Sequence, residues 1–337
     1  MLISDGGDRL YSVVESAPLV TRAWAYQERL LSPRAINFHS AELTWDCGVS
    51  GGFCFDCECG HLKTQSFALE DFTVLDKERF VGESASAVTK EEALITWLNI
   101  VVHFSKLRLT FTQDRLPAIA GIAKRAANII QSGYLAGLWE ADIARGLVWR
   151  ADYAPEEGHY LENIADVGTR ADPYRAPTWS WASIDLNADR ACSKWISYQF
   201  TYDTATVGAF CVDGRFKVLG YECDTAGANV YGCVTGGHLF VKGAVIVMTF
   251  TYDRFYDMAE HGDGSYYFDF NIFEKGHAYI PEGDNIIALL VGGQGQNCIA
   301  ILLVAAKKEL GKYERVGIAG MEEKDFKLAE EMVIDIV

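Results

Sequence analysis

From Arg22 to Leu31, apolar and polar positions recur at the spacing of a helix. Trp24, Gln27, Glu28 and Leu31 share one face, and Ala23, Tyr26 and Leu30 form the adjoining stripe. Thr21 is placed to cap the start, and Pro33 ends the helix by pushing Ser32 out of the α region. Residues 35–39 and 43–47 then alternate, which predicts a β-hairpin. Thr89 and Glu92 form a capping box, and Leu94, Trp97, Leu98, Val101 and Val102 keep the helical period to about Ser105. A further helix is expected over 115–131, with Pro117 in its first turn and Gly133 as its cap. Another is expected over 135–149 on the stripe Leu135, Leu138, Trp139, Ile143 and Leu147.

Beyond a polar loop at 151–177 the period changes to two. Short β-branched or aromatic runs recur at 179–184, 195–202, 206–212, 216–222, 239–252, 266–273, 286–291, 299–305 and 313–318. Turn signals such as Asp213-Gly214, Gly236-Gly237 and Gly292-Gly293 separate them. The Glu/Lys-rich tail over 322–333 reads as a closing helix. The expected class is α+β: a helix-rich part with a hairpin (1–150), a connecting loop (151–177), and an antiparallel β-barrel or sandwich with a C-terminal helix (178–337).

Composition narrows the choice of partner. Half of the 337 residues are apolar and 12% are aromatic, enough for a sizeable core. The net charge of -16, with no patch of five basic residues, speaks against nucleic acid and anionic membranes. No apolar run approaches the ~20 residues of a membrane span. The first ten residues lack the basic and apolar regions of a signal peptide, so a cytoplasmic location is expected. Nine cysteines then read as free thiols. Cys47, Cys54, Cys57 and Cys59 crowd a Gly-rich stretch before His61, but one C-x-x-C overlapped by a C-x-C is poor zinc spacing. An incidental Gly-rich loop is the simpler reading, with no metal and no cofactor. Gly293-x-Gly295 lies between strands with no helix after it, so it is a hairpin turn rather than a phosphate loop.

Glu28 with Arg22, Arg29 and Arg34 is the densest polar group. Gln27 and Glu28 stand beside a tryptophan and a leucine, where burial without partners costs several kcal/mol, on the order of 2–7. Either the group is an ion network fixing helix to hairpin, or one arginine binds an oxyanion that Glu28 helps to position. His39 and Asp46 lie on alternating strands and become proton-transfer groups if they share a face. Trp179 and Trp181 fall on one side of an expected strand. With Trp24, Tyr26 and Trp45 they make either core or the wall of a pocket for a flat apolar ligand.

These residues also carry a resemblance. The run Arg22-Ala-Trp24-x-x-Gln27-Glu28-Arg29-Leu30-Leu31-Ser32-Pro33-Arg34, then Phe38 and Trp45-x-Cys47, resembles the last block of the fungal heterokaryon-incompatibility (HET) domain. Later pieces resemble the region that follows that block. They are Leu109 to Ala123, Tyr134-Leu-Ala-Gly137-Leu-Trp139 through Arg145-Gly146-Leu-x-Trp149-Arg150, Arg175-Ala-Pro177-x-Trp179-Ser180-Trp181-Ala182-Ser183, and Tyr313-Glu-Arg315-Val-Gly317. The family's earlier motifs are not present in this sequence, so activity carried by them is not transferred.

Two functions remain, of which the first, drawn from an aromatic pocket with few polar groups, is the favoured expectation, and the second is what the resemblance implies. The first is a cofactor-independent fungal secondary-metabolism enzyme, a cyclase or pericyclase acting on an apolar polyketide or terpenoid. A tropolone quinone methide joined to a humulene-type alkene by hetero-Diels–Alder cycloaddition is one instance. Catalysis there rests on pose and on stabilising a developing oxyanion. Arg22, Glu28, Arg29, His39 and Asp46 would be catalytic, and Trp24, Tyr26, Trp45, Trp179 and Trp181 would bind the substrate. The second is a HET-family interaction module in non-self recognition with no catalysis. A homodimer is compatible with both. An aromatic pocket supports the enzyme; a solid core with exposed apolar side chains supports the module.

Overall fold

The computed structural model describes residues 19, 21–38, 43–47, 52–55, 88–155, 168–186, 192–198, 210–251, 266–272 and 279–337, and only the backbone of 37, 43–47, 52–55, 153–155 and 192–193. The chain divides into two compact units, Met1–Gln131 and Ser132–Val337.

The first unit opens with helix α1 (Ala23–Leu31), followed by strands β1 (Arg34–Phe38), β2 (Leu43–Cys47) and β3 (Gly52–Phe55). These strands form an antiparallel sheet in that order, with Ile36 opposite Trp45. Arg22, not Thr21, is the N-cap, and no side chain caps it. Helix α2 (Lys90–Ser105) has the expected capping box, with Thr89 accepting from the Glu92 N–H and Glu92 from the Thr89 N–H. Its whole apolar stripe is buried, and so are Ile100 and Phe104. The helix expected over 115–131 is instead a 3₁₀ turn, Pro117–Ile119, leading into α3 (Ala120–Ile130). Gln131, at φ +49°, closes α3, so the left-handed cap lies two residues before Gly133. Helix α1 approaches α3 at Gly121, where a Cβ would stand 2.7 Å from Gln27 Oε1.

The second unit begins with a tight hairpin of β4 (Tyr134–Leu135) and β5 (Leu138–Trp139). This replaces the helix expected over 135–149. Ala136 and Gly137, at φ +44° and +99°, turn the chain left-handed, and only a five-residue helix, α4 (Ile143–Leu147), survives. The stripe that suggested a long helix is buried all the same. The expected loop over 151–177 holds strand structure. Strand β6 (Trp149–Pro155) runs into it, and β7 (Gly168–Arg170) and β8 (Ile184–Leu186) pair antiparallel. Strand β6 pairs with β9 (Cys192–Tyr198).

The main sheet contains β10 (Cys211–Val212), β11 (Lys217–Thr225), β12 (Val234–Thr249), β13 (Tyr266–Phe268), β14 (Asn285–Gln294), β15 (Asn297–Ala305), β16 (Tyr313–Glu322) and β17 (Glu330–Ile336). Its order is β10-β14-β15-β16-β17-β12-β11, with β13 on β16 and a further pairing of β12 with β14. All but one of these pairings are antiparallel; β16 meets β17 at a single parallel bridge, Tyr313 with Ile336. The molecule is α+β with a large, mostly antiparallel sheet, in which the β12–β14 pairing brings the strand path back on itself and β16 and β17 meet only at that one bridge. The tail expected as a helix over 322–333 is a 3₁₀ turn, Glu323–Phe326, followed by β17. Ile334 and Ile336 alternate into the core, so sheet pairing overrides helical composition there. Among the described residues no helix is long and apolar enough to cross a membrane.

Candidate functional site

In α1 the buried stripe is Ala23, Tyr26 and Leu30, not the face carrying Trp24 and Glu28. Tyr26 is 4% exposed, with its ring centroid 6.3 Å from that of Phe104. Trp24 is 40% exposed, and its Nε1 donates to Asp114 Oδ2 at 3.2 Å. Gln27 finds its partner in backbone, accepting from the Gly121 N–H at 2.6 Å. The expected network of Glu28 with arginines is not formed by Arg22 or Arg34, since all three side chains are exposed. Arg22 joins the fold through its backbone, bridged to Arg108. Arg29 is half-buried, and its Nε has no hydrogen-bond partner.

Asp46 and Trp45 take their places on β2, opposite Ala35 and Ile36. Their side chains, and those of Cys47 and Cys54, lie outside the description, as do His39, Cys57 and Cys59 altogether. Strand β1 shows Ile36 and Phe38 to solvent, 51% and 85% exposed. Among the described cysteines, Cys211, Cys223, Cys233 and Cys298 are free thiols.

The tryptophans of the second unit have another setting. Trp179 and Trp181 do not lie on one strand face. Pro177 and a Ser180 turn bend the chain into a 3₁₀ segment, Trp181–Ser183, and both indoles are 0% exposed. Ser180 Oγ accepts from the Ala182 N–H at 3.0 Å and donates to the Ala136 carbonyl at 2.5 Å. Trp181 Nε1 donates to the Gly137 carbonyl at 3.2 Å. A Cβ on Gly137 would lie 2.6 Å from that nitrogen, so the indole lies directly on the turn. Trp149 Nε1 donates to the Trp179 carbonyl at 3.0 Å. Arg175, 3% exposed, ties the same segment together through the carbonyls of Ala182 and Ile184 and the carboxylate of Asp185.

Arg315 sits at the centre. It and Asp269 are both 0% exposed. Its guanidinium donates to both Asp269 oxygens, at 3.0 and 3.1 Å, and to the carbonyls of Leu147 and Trp149. It lies 3.5 Å from the centroid of the Trp149 ring. Its backbone N–H donates to Thr178 Oγ1, and its carbonyl accepts from Arg170. Burial lowers the pKa of Arg170, opposed by the charges of Glu314 and Asp269.

The sequence pieces around Tyr134, Trp149, Trp179 and Arg315 thus meet in one closed, hydrogen-bonded knot. Arg315 could be picked out in sequence as a cation in the apolar strand Val316–Ile318, but Asp269, 46 residues away, carries no signal that links them. No protein-family model, curated protein or solved structure matches the chain.

Proposed function

We propose that the chain is a protein-interaction module of the HET type, acting in fungal non-self recognition without catalysing a reaction. The observation that carries this reading is the setting of Trp179 and Trp181: indoles with no exposure, Trp181 packed on the Gly137 turn and Trp179 tied through its carbonyl to the Trp149 indole. Aromatic rings used in this way hold a scaffold together, whereas a cyclase needs such rings around its substrate. The exposed positions of Arg22, Glu28 and Arg34 add to it, because charge in bulk water stabilises a developing oxyanion weakly. The apolar side chains that β1 shows to solvent fit a chain that meets a partner.

The experiment is expression of the intact chain in a filamentous fungal host, with growth as the readout. The chain should slow growth, and neutral replacements at the candidate catalytic positions (Arg22→Gln, Glu28→Gln, His39→Asn and Asp46→Asn) should leave that effect within about twofold. An effect abolished by Glu28→Gln, with folded protein at normal level, would overturn the module and restore the cyclase.

A further inference from the structure

The knot displays a face rich in tyrosine. Tyr134 pairs across the β4–β5 hairpin with Trp139, with ring centroids 5.0 Å apart at 66°, and Tyr231 stands 5.3 Å from Tyr134 on its other side. Trp139 is buried, while Tyr134 and Tyr231 are half-buried. On β11, Tyr221 is 37% exposed and hydrogen-bonds the Glu140 carboxylate. Two residues on, and so on the same side of that strand, Cys223 accepts from the Ala136 N–H. Tyr174, 50% exposed, lies within the field of Cys223, Asp224 and Glu309. The raised pKa of Tyr174 has burial as its main cause, with those groups adding to it. Among the described strands none pairs with the outer edge of β11.

The charges around these rings have one dominant sign. Glu140 stands at Tyr221, and Asp224 and Glu309 stand near Tyr174, against one lysine. That lysine, Lys312, is bound to Glu309. A second copy of a chain with net charge -16 would be repelled here, as would nucleic acid or an anionic membrane. Tyrosine faces bordered by carboxylates suit a cation that is itself flat. Guanidinium stacks on such rings and pairs with carboxylates through a planar fork; an ammonium does only the second well.

We propose that this tyrosine-and-carboxylate face docks an arginine-rich segment of a partner protein. The proposal rests on the module reading but is tested apart from it, in vitro and without any growth phenotype. Fluorescein-labelled octa-arginine and octa-lysine are titrated with the full chain at physiological ionic strength, with anisotropy as the readout. Octa-arginine should bind several-fold more tightly than octa-lysine. Tyr221→Ala combined with Tyr231→Ala should weaken octa-arginine roughly tenfold, the effect of losing two cation–π contacts. Tyr231→Phe, which keeps the ring, should bind within about twofold of the parent, because the ring face carries the attraction. Glu282→Gln with Glu323→Gln, which removes two exposed carboxylates elsewhere on the chain, should also cost less than about twofold. Equal affinity for the two peptides, equal loss in the tyrosine and control variants, or no binding would each overturn the proposal. A folded circular-dichroism spectrum of the double tyrosine variant, with Tyr231→Phe binding normally, separates lost contact from lost structure.

Discussion

Replacing Arg315 by alanine is expected to destabilise the chain by about 3–5 kcal/mol, the range for removing one member of a buried ion pair. The reason lies in what stays behind. Asp269, with no exposure, would lose its cation and both hydrogen bonds to it, and the carbonyls of Leu147 and Trp149 would lose their donor. Asp269→Ala should cost a similar amount for the mirror-image reason. The double variant should cost clearly less than the two single costs combined, because the orphaned charge has gone. Urea unfolding followed by tryptophan fluorescence measures all three, since Trp149 lies against the guanidinium. Single-variant costs below about 1 kcal/mol, with additivity in the double, would show that the pair is not the centre of the fold.

The second large effect is expected at Trp181. Alanine there should cost about 3–5 kcal/mol, the range for emptying a large aromatic site in a packed core. The indole is 0% exposed, rests on Gly137 and satisfies its carbonyl. Near-UV circular dichroism across a denaturant titration reads the loss. A stable Trp181→Ala variant that binds apolar ligands would mean the ring had been lining a usable cavity.

Local rules carried part of this fold. The capping box at Thr89 and the apolar runs of β14 and β15 could be read because the helical period in the one and the unbroken apolar stretch in the others agree with burial. The hairpin at 134–139 could not, because its buried leucines and tryptophan also fit a helical stripe. The contrary signal was the Ala136-Gly137 dipeptide, which supplies the positive φ of the turn. In β17 the Glu/Lys content suggested a helix, while Met332, Ile334 and Ile336 alternated underneath it. Helix α1 was legible as a helix, but its inward face was not. Small Ala23 and aromatic Tyr26 pack inward, and Trp24 sits at the rim on Asp114. The candidate site fared worse for a physical reason. Arg315 with Asp269, and Trp181 with Gly137, are joined by backbone carbonyls and long-range pairing, which residue spacing along the chain does not record.

The central claim is that the tryptophans of the knot are closed to solvent and to substrate. Hydroxyl-radical footprinting of the intact chain, read by mass spectrometry at each indole, tests it most directly. Trp24, 40% exposed, should oxidise readily, while Trp149, Trp179 and Trp181, all at 0%, should be modified only as fast as the chain unfolds. Oxidation of Trp179 or Trp181 at the rate of Trp24, slowed by an added apolar polyketide or terpenoid, would contradict the account.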